Sequence, residues 1–337
     1  MVVKKSARQF FLVLFLSSIL HPPSSICFAR ESAGTGGAAF LTVPVAVRAM
    51  GMGDVGAAIP SGVNGAHLNP AGVTSVRKSE ASFSFQDTLA DTSLGFLGAA
   101  IPMSYRGVSD LGGSTLFGSL VYFNKGNIEI NRLKADGSLD SSVTQNAGYD
   151  MALSLGYAEH FFKGSFGVRA LEEGVHSLGF VLRGIQSTLA GGYEANAAGF
   201  DLGYMGTFRK FGVGAGAANL GAKLKFIEVG DPLPVVVRAG VSANHDFGIF
   251  RLTGALDGVH QEKAWHQRLG TEMTLPTHNI ALRGGWRFES KNFQGGPALG
   301  FGFDLDTLFL DYAFTWFGDL RDTHRLLAGY RFGSTLR

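Results

Sequence analysis

Thr307-Leu308-Phe309-Leu310-Asp311-Tyr312-Ala313-Phe314-Thr315-Trp316-Phe317 sets Leu308, Leu310, Tyr312, Phe314 and Trp316 in one register, with Thr307, Asp311 and Thr315 in the other. A strand turns successive side chains to opposite faces, so this segment has one greasy face and one polar face. A long run of such strands, with charges repeatedly on the inward set, describes a closed barrel in lipid.

The same pattern extends in both directions. From Ser79 onward the chain divides into fourteen candidate strands: 79–86, 93–102, 114–123, 149–160, 177–188, 196–208, 211–218, 234–245, 248–258, 266–275, 279–289, 297–305, 308–317 and 323–332. The weakest stretch is 161–195, where 165–171 reads either as strand or as insertion. Arg209-Lys210, Asp246-Phe247, 276–278 and Asp306-Thr307 read as tight turns. They alternate with longer links at 219–233, 259–265, 290–296 and 318–322, and with the longest loop, 124–148, which carries Asp136-Gly137. Short turns on one rim and long loops on the other are the outer-membrane pattern, and an even strand count returns both termini to the periplasm.

Ile280, Leu282, Trp286 and Phe288 alternate with Asn279, Arg283, Arg287 and Glu289, and Leu326, Ala328, Tyr330 and Phe332 alternate with Arg325, Gly329 and Arg331. The expected inner face holds a charge network of Arg238, Arg251, Arg268, Glu272, Arg283, Arg287, Asp304, Asp311, Arg325 and Arg331. The alternative is the solvated face of an antiparallel sandwich. Fourteen such strands, however, supply more greasy face than one sandwich core needs.

Composition agrees with a barrel. Charged residues are 17% of the 337, and the 48 glycines are twice the usual share. Lys4, Lys5 and Arg8, followed by the apolar run 10–20 and Cys27-Phe28-Ala29, read as a cleaved leader over 1–29. Its removal takes the formal charge from +2 to −1, and neither value suggests a nucleic-acid partner. Ser24-Ser25-Ile26 is a poor match to the pattern preceding a lipid-modified cysteine. The mature chain is therefore expected to lack cysteine, and with it disulfides and thiolate metal sites. The segment 30–78 is rich in Gly and Ala, lacks period-two alternation and reads as a hatch; 79–332 is the barrel and 333–337 a short tail.

Gly51-Met52-Gly53-Asp54-Val55-Gly56 matches G-x-G-x-x-G, but Pro60, Gly62 and Gly65 interrupt any helix after it and 69–77 has no acidic residue. It reads as tight packing in a Gly-rich plug. The histidines show no H-x-x-x-H pair, and His260 and His266 read as solvated flanks of a loop rather than metal ligands. No G-x-S-x-G elbow occurs. No catalytic residue, metal or cofactor is expected; an outer-membrane lipase drawing Ser and His from separate strands is the enzymatic alternative.

Leu68-Asn69-Pro70-Ala71-Gly72, preceded by Arg48-Ala49-Met50-Gly51-Met52-Gly53, resembles the N-terminal hatch of the FadL-related outer-membrane barrels. It is most similar to the PorV/PorQ branch and a neighbouring uncharacterised outer-membrane family. The resemblance continues through 219–226, Gly230-Asp231-Pro232-Leu233-Pro234 and the closing strand from Thr323-His324-Arg325 to Phe332. It implies an all-β, transmembrane antiparallel barrel of fourteen strands with the hatch in its lumen. It also implies passive uptake of hydrophobic small molecules such as long-chain fatty acids. Asn69, Pro70, Ala71 and Gly72 would then form a rigid turn where plug meets wall, or only the turn into the first strand. The PorV-like relatives suggest instead an accessory role with secretion machinery. The chain continues five residues past Phe332, a departure from barrels that end on an aromatic residue. The resemblance carries over no ligand-binding residue. The expected partners are outer-membrane lipid and a hydrophobic ligand.

Overall fold

Each of the fourteen alternating segments contains a strand, though residues 248–250 belong to the turn after Asp246 and that strand starts only at Arg251. The computed structural model describes residues 37–87, 91–103, 107–164, 174–288, 295–317 and 320–335. The expected leader with Cys27, the start of the hatch, the segment 165–171, much of the link 290–296 and the last two residues lie outside them. The strands are β1 (Ser79–Asp87), β2 (Ser93–Pro102), β3 (Thr115–Asn124), β4 (Asn127–Leu133), β5 (Leu139–Asn146), β6 (Tyr149–Gly164), β7 (Gly174–Leu189), β8 (Tyr193–Thr207) and β9 (Phe211–Gly221). They continue as β10 (Leu224–Lys225), β11 (Gly230–Asp231), β12 (Val236–Asp246), β13 (Arg251–Gln261), β14 (Ala264–Leu275), β15 (Ile280–Phe288), β16 (Gly296–Asp304), β17 (Leu308–Phe317) and β18 (Leu320–Phe332).

Fourteen of these close into one antiparallel barrel in the order β1, β2, β3, β6, β7, β8, β9, β12 and on through β18, which pairs back onto β1 from Ser79↔Phe332 to Phe85↔Leu326. Closure leaves no unpaired edge, the condition for a sheet to sit in hydrocarbon. The outer face is apolar: Leu97, Leu155, Leu182, Leu299, Trp316, Leu326 and Tyr330 stand exposed on it. Trp265, Trp286 and Trp316 all lie within three residues of one rim, where Tyr122 and Tyr149 also stack at 5.7 Å. Tyr330 and Phe332 stack at 6.5 Å on the rim that carries both ends of the barrel. Aromatic bands of this kind mark the two membrane–water boundaries.

Three expectations about connections are corrected. The 124–148 loop is a hairpin: Lys125 N–H donates to Gly148 C=O and Ala147 N–H to Gly126 C=O, so the β3–β6 ladder runs into β4–β5 without a register change. Ile128, Ile130 and Val143 therefore keep the outward parity of Tyr122, beyond the aromatic band. The 259–265 link is a tight turn at Glu262-Lys263, both with positive φ, because the alternation of β13 and β14 continues almost to their junction. That places His266 inside β14, where it is buried rather than solvated, while His260 packs 5.2 Å from the Trp265 ring. Long and short links also do not sort cleanly by rim, since 103–114 shares the terminal rim with the tight turns.

The described part of the N-terminal segment occupies the interior. The segment from residue 37 to 78 folds inside as short pieces: 3-10 helices at Ala39–Thr42, Val63–Gly65 and Pro70–Ser75, and one short helix, α1 (Val47–Gly51). α1 lies against β15–β18, the Val63–Gly65 turn against β1–β3, and Pro70–Ser75 against β6–β8, so the plug meets the wall around the bore. Val47 and Met50 pack with Phe309, Ala313 and Leu327, while Met52, Val55 and Ile59 pack on Ala255. The hydrophobic core of this protein is thus the hatch–wall boundary.

Leu182, 62% exposed, faces outward in the middle of β7, and Thr307 lies at the rim turn. Leu182→Arg is expected to cost about 2–4 kcal/mol of barrel stability in bilayers and Thr307→Arg no more than about 1. Urea titration of folding into lipid vesicles checks this; equal costs would contradict the outward assignment.

Candidate functional site

An irregular segment inside a barrel brings backbone N–H and C=O groups that its own hydrogen bonds do not satisfy. Lumenal side chains meet them. Asp257 Oδ2 accepts from Gly56 N–H at 2.8 Å and Ala57 N–H at 2.9 Å. Glu80 Oε1 accepts from Val63 N–H at 2.9 Å, Arg238 donates to Asp54 C=O at 2.6 Å, and Ser242 donates to Ala58 C=O at 2.8 Å. The close approach also needs wall positions without side chains. A Cβ on Gly214 would stand 1.8 Å from Ala57 O, and Gly53, at φ +68°, brings its own backbone so near β15 that a Cβ there would lie 2.6 Å from Trp286 N. The Gly-x-Gly run of 51–56 is a packing device, as read from the sequence: no helix opens on it.

The Asn69-Pro70-Ala71-Gly72 turn is one of the anchors. Asn69, buried, accepts from Ala71 N–H at 3.1 Å and caps Pro70–Ser75, with Pro70 in the first helical position where no N–H is needed. Its amide nitrogen donates to Ala57 C=O at 2.6 Å within the hatch and to Tyr204 C=O at 2.8 Å on β8. It sits against β7 and β8, where a Cβ on Gly179 or Gly203 would collide with Pro70.

The expected charge network resolves into separate groups. Arg48, from the hatch, holds Glu272 through Nε at 2.8 Å and Nη2 at 2.6 Å. Arg283 holds the same carboxylate at 2.6 Å and Asp311 at 2.5 Å. A second group joins Arg238 to Asp257 at 3.4 Å and to Asp54 at 3.6 Å, with Arg268 4.0 Å from Asp54. Arg331 pairs with Asp304 at 2.6 Å on the terminal rim, and Arg287 donates to Trp316 C=O at 2.8 Å. Arg251 does not join them: it lies exposed at the terminal rim with Asp246, because β13 starts there. Arg325 is buried apart from every one of these pairs.

Several wall residues were missed: Glu80, Asp257, Arg183 and Asp201 all sit in the inward parity of their strands, so the same alternation rule would have found them. Arg183 pairs with Asp201 at 2.6 Å, and Asp201 accepts from Asn219 N–H at 2.8 Å where the β8–β9 register slips and Asn219 takes φ 61°. Arg48 and Asp54, in the aperiodic hatch, had no such signal.

Two spaces remain. A cavity of about 570 Å³ lies between the hatch and β14–β17, opening toward the terminal rim, with Met52, Ile59, Leu68 and Phe309 among its apolar lining and the Arg48–Glu272–Arg283–Asp311 chain along one side. A narrow, largely apolar crevice of about 40 Å³ runs between the hatch and β2, β3, β6 and β7, lined by Val45, Phe96, Phe117 and Val181 together with His67 and Arg183. Among the described residues no group of three or more His, Cys, Asp or Glu side chains is arranged to hold a metal ion.

No protein-family model and no curated protein matches the sequence. Solved structures do share its fold. The Ralstonia pickettii toluene transporter TbuX is 12% identical over 86% of this chain and 98% of its own, with a TM-score of 0.54. The CymD monoaromatic hydrocarbon channel is 14% identical over 91% and 100%, at 0.50, and a Pseudomonas aeruginosa FadL homologue 11% over 86% and 99%, at 0.50. The chain has the closed fourteen-strand architecture of FadL-type outer-membrane barrels.

Glu272→Ala would leave Arg48 and Arg283 facing each other without their shared carboxylate, and removing one partner of a buried pair costs about 3–5 kcal/mol. We expect a loss of that order in unfolding, together with faster proteolytic cleavage of the hatch while the barrel still migrates as a folded species on gels. At the rim, Lys78 Nζ meets Asp306 at 2.7 Å, and that hydrogen bond and charge hold Asp306 below the usual carboxylate range. A carboxyl depressed in the folded state stabilises above its unfolded pKa, and the effect fades as pH falls through the folded one. The stability difference between wild type and Asp306→Asn is therefore expected at neutral pH and should vanish on strong acidification.

Proposed function

We propose that this chain is a passive outer-membrane transporter for hydrophobic small molecules, with long-chain fatty acids as its cargo. The observation that carries the reading is the filled bore. A wall fully lined by a hatch is unsuited to the open, non-selective passage of a porin, yet a space of about 570 Å³ lies between hatch and wall, inside the range of roughly 300–1,000 Å³ usual for small-molecule sites. Its mixed lining suits a molecule with an apolar body and a polar end. Two barrels of the same fold, a toluene transporter and a monoaromatic hydrocarbon channel, support a hydrophobic cargo. In this reading the leader over 1–29 is removed, the rim bearing both barrel ends faces the periplasm, and the β4–β5 hairpin faces outward from the cell.

A second reading, an accessory barrel for protein secretion, is favoured by that hairpin. It extends the wall past the aromatic band and exposes Ile128, Ile130, Leu133, Leu139 and Val143. It predicts that the barrel co-purifies with a secreted protein or translocon and that deleting 127–146 abolishes this without unfolding the barrel.

For transport, the detergent-purified protein titrated with a fluorescent long-chain fatty acid is expected to show saturable binding, and a deletion strain slower uptake. Absence of both would overturn the reading.

A further inference from the structure

Arg325 projects from β18 into the interior, is 1% exposed, and finds no hydrogen-bond partner for Nε, Nη1 or Nη2. A guanidinium stays protonated, so burying it without a counter-charge is costly. Polar groups beside it share the condition. Ser84 Oγ and Gln86 Oε1, buried on the inward face of β1, also have no partner. Ser84 pairs in register with Leu327, which places it diagonally across the β1–β18 seam from Arg325, within reach of a long side chain. Asp54 is the charge that reaches Arg325 from the hatch, but it makes no ion pair with it. That carboxylate is shared between Arg238 at 3.6 Å and Arg268 at 4.0 Å, and its Oδ1 accepts no hydrogen bond.

Asp311 stands diagonally across the β17–β18 seam from Arg325, but its carboxylate is held by Arg283 at 2.5 Å. Apolar side chains adjoin Gln86: it pairs in register with Leu94 on β2, and Leu94 packs with Phe96 and Val45.

We propose that Arg325, with Ser84 and Gln86, forms an anion site that takes the carboxylate of an amphiphile whose apolar tail follows Leu94 and Phe96. The guanidinium fork supplies two parallel N–H donors to the carboxylate oxygens, Ser84 an O–H, and Gln86, its amide turned about the last bond, an N–H. The tail assignment rests on the transport reading above; the anion site stands on Arg325 itself.

The test titrates detergent-purified wild type, Arg325→Met and Ser84→Ala with dodecanoate and dodecan-1-ol, each variant first checked for heat-modifiable migration. Charge-assisted hydrogen bonds predict that wild type prefers the acid by about tenfold or more. Arg325→Met should bring the two ligands to similar affinity, and Ser84→Ala should weaken the acid alone. Equal binding of acid and alcohol by wild type, or an undiminished preference in Arg325→Met, overturns the proposal. If Arg325→Met does not fold, Ser84→Ala decides, and unchanged acid binding overturns it. If wild type binds neither amphiphile, the transport reading fails and sodium sulfate decides the anion site. A larger rise in melting temperature for wild type than for the folded variant upholds it. Equal rises mean that Arg325 is neutralised internally, through water to Asp54, and overturn it.

Discussion

The structure depends on satisfying the backbone of an irregular segment held inside a barrel. A strand wall needs little further once it closes, because its N–H and C=O groups pair with those of the neighbouring strands. The hatch has only short helical turns, and a buried polar group left without a partner costs about 1–3 kcal/mol. Asp257, Glu80, Arg238, Ser242 and Asn69 are placed where hatch amides and carbonyls would otherwise be orphaned. Acidic and basic residues are therefore interspersed on the inner face, since acids meet N–H groups, bases meet C=O groups, and the two neutralise each other.

The same constraint accounts for the glycine content. Hydrogen bonds between hatch backbone and wall side chains require the two main chains to lie close, and a Cβ at Gly214, Gly53 or Gly179 would occupy that space. The outer face has the opposite requirement, large apolar side chains in lipid, and the two alternate residue by residue along each strand. Gly300 and Phe301, or Gly302 and Phe303, are the two demands side by side.

Function follows from how the hatch is attached. It is held by the Arg48–Glu272 ion pair on the β14–β17 side, by the Asn69 anchor on β7 and β8, and by apolar packing on β2 and β3. The larger space lies on the ion-paired side and opens to the terminal rim, and the apolar crevice on the side packed by hydrophobic contacts. A molecule with a polar end and an apolar body meets a different chemistry in each.

Thr307–Phe317 and its counterparts decided the strands by themselves, because a period of two is a local property that sequence displays directly; β2 and β17 have the bounds read from it. The inward parity of Arg283, Asp311 and Arg325 was legible for the same reason. Which of these residues would meet was not, because pairing depends on where the hatch lies, and the hatch has no periodicity. Arg48 reaches Glu272 across 224 positions of sequence, and nothing local to either residue announces it. The hairpin within 124–148 is not legible locally, because the pairing register of Ile128, Ile130 and Val143 is inherited from β3 and β6. The sequence by itself determined a greasy outside, a polar and glycine-lined inside and a segment too irregular to be wall. Only the tertiary structure decided that this segment fills the lumen, which charges it neutralises and that Arg325 is left over, because those are matters of long-range contact.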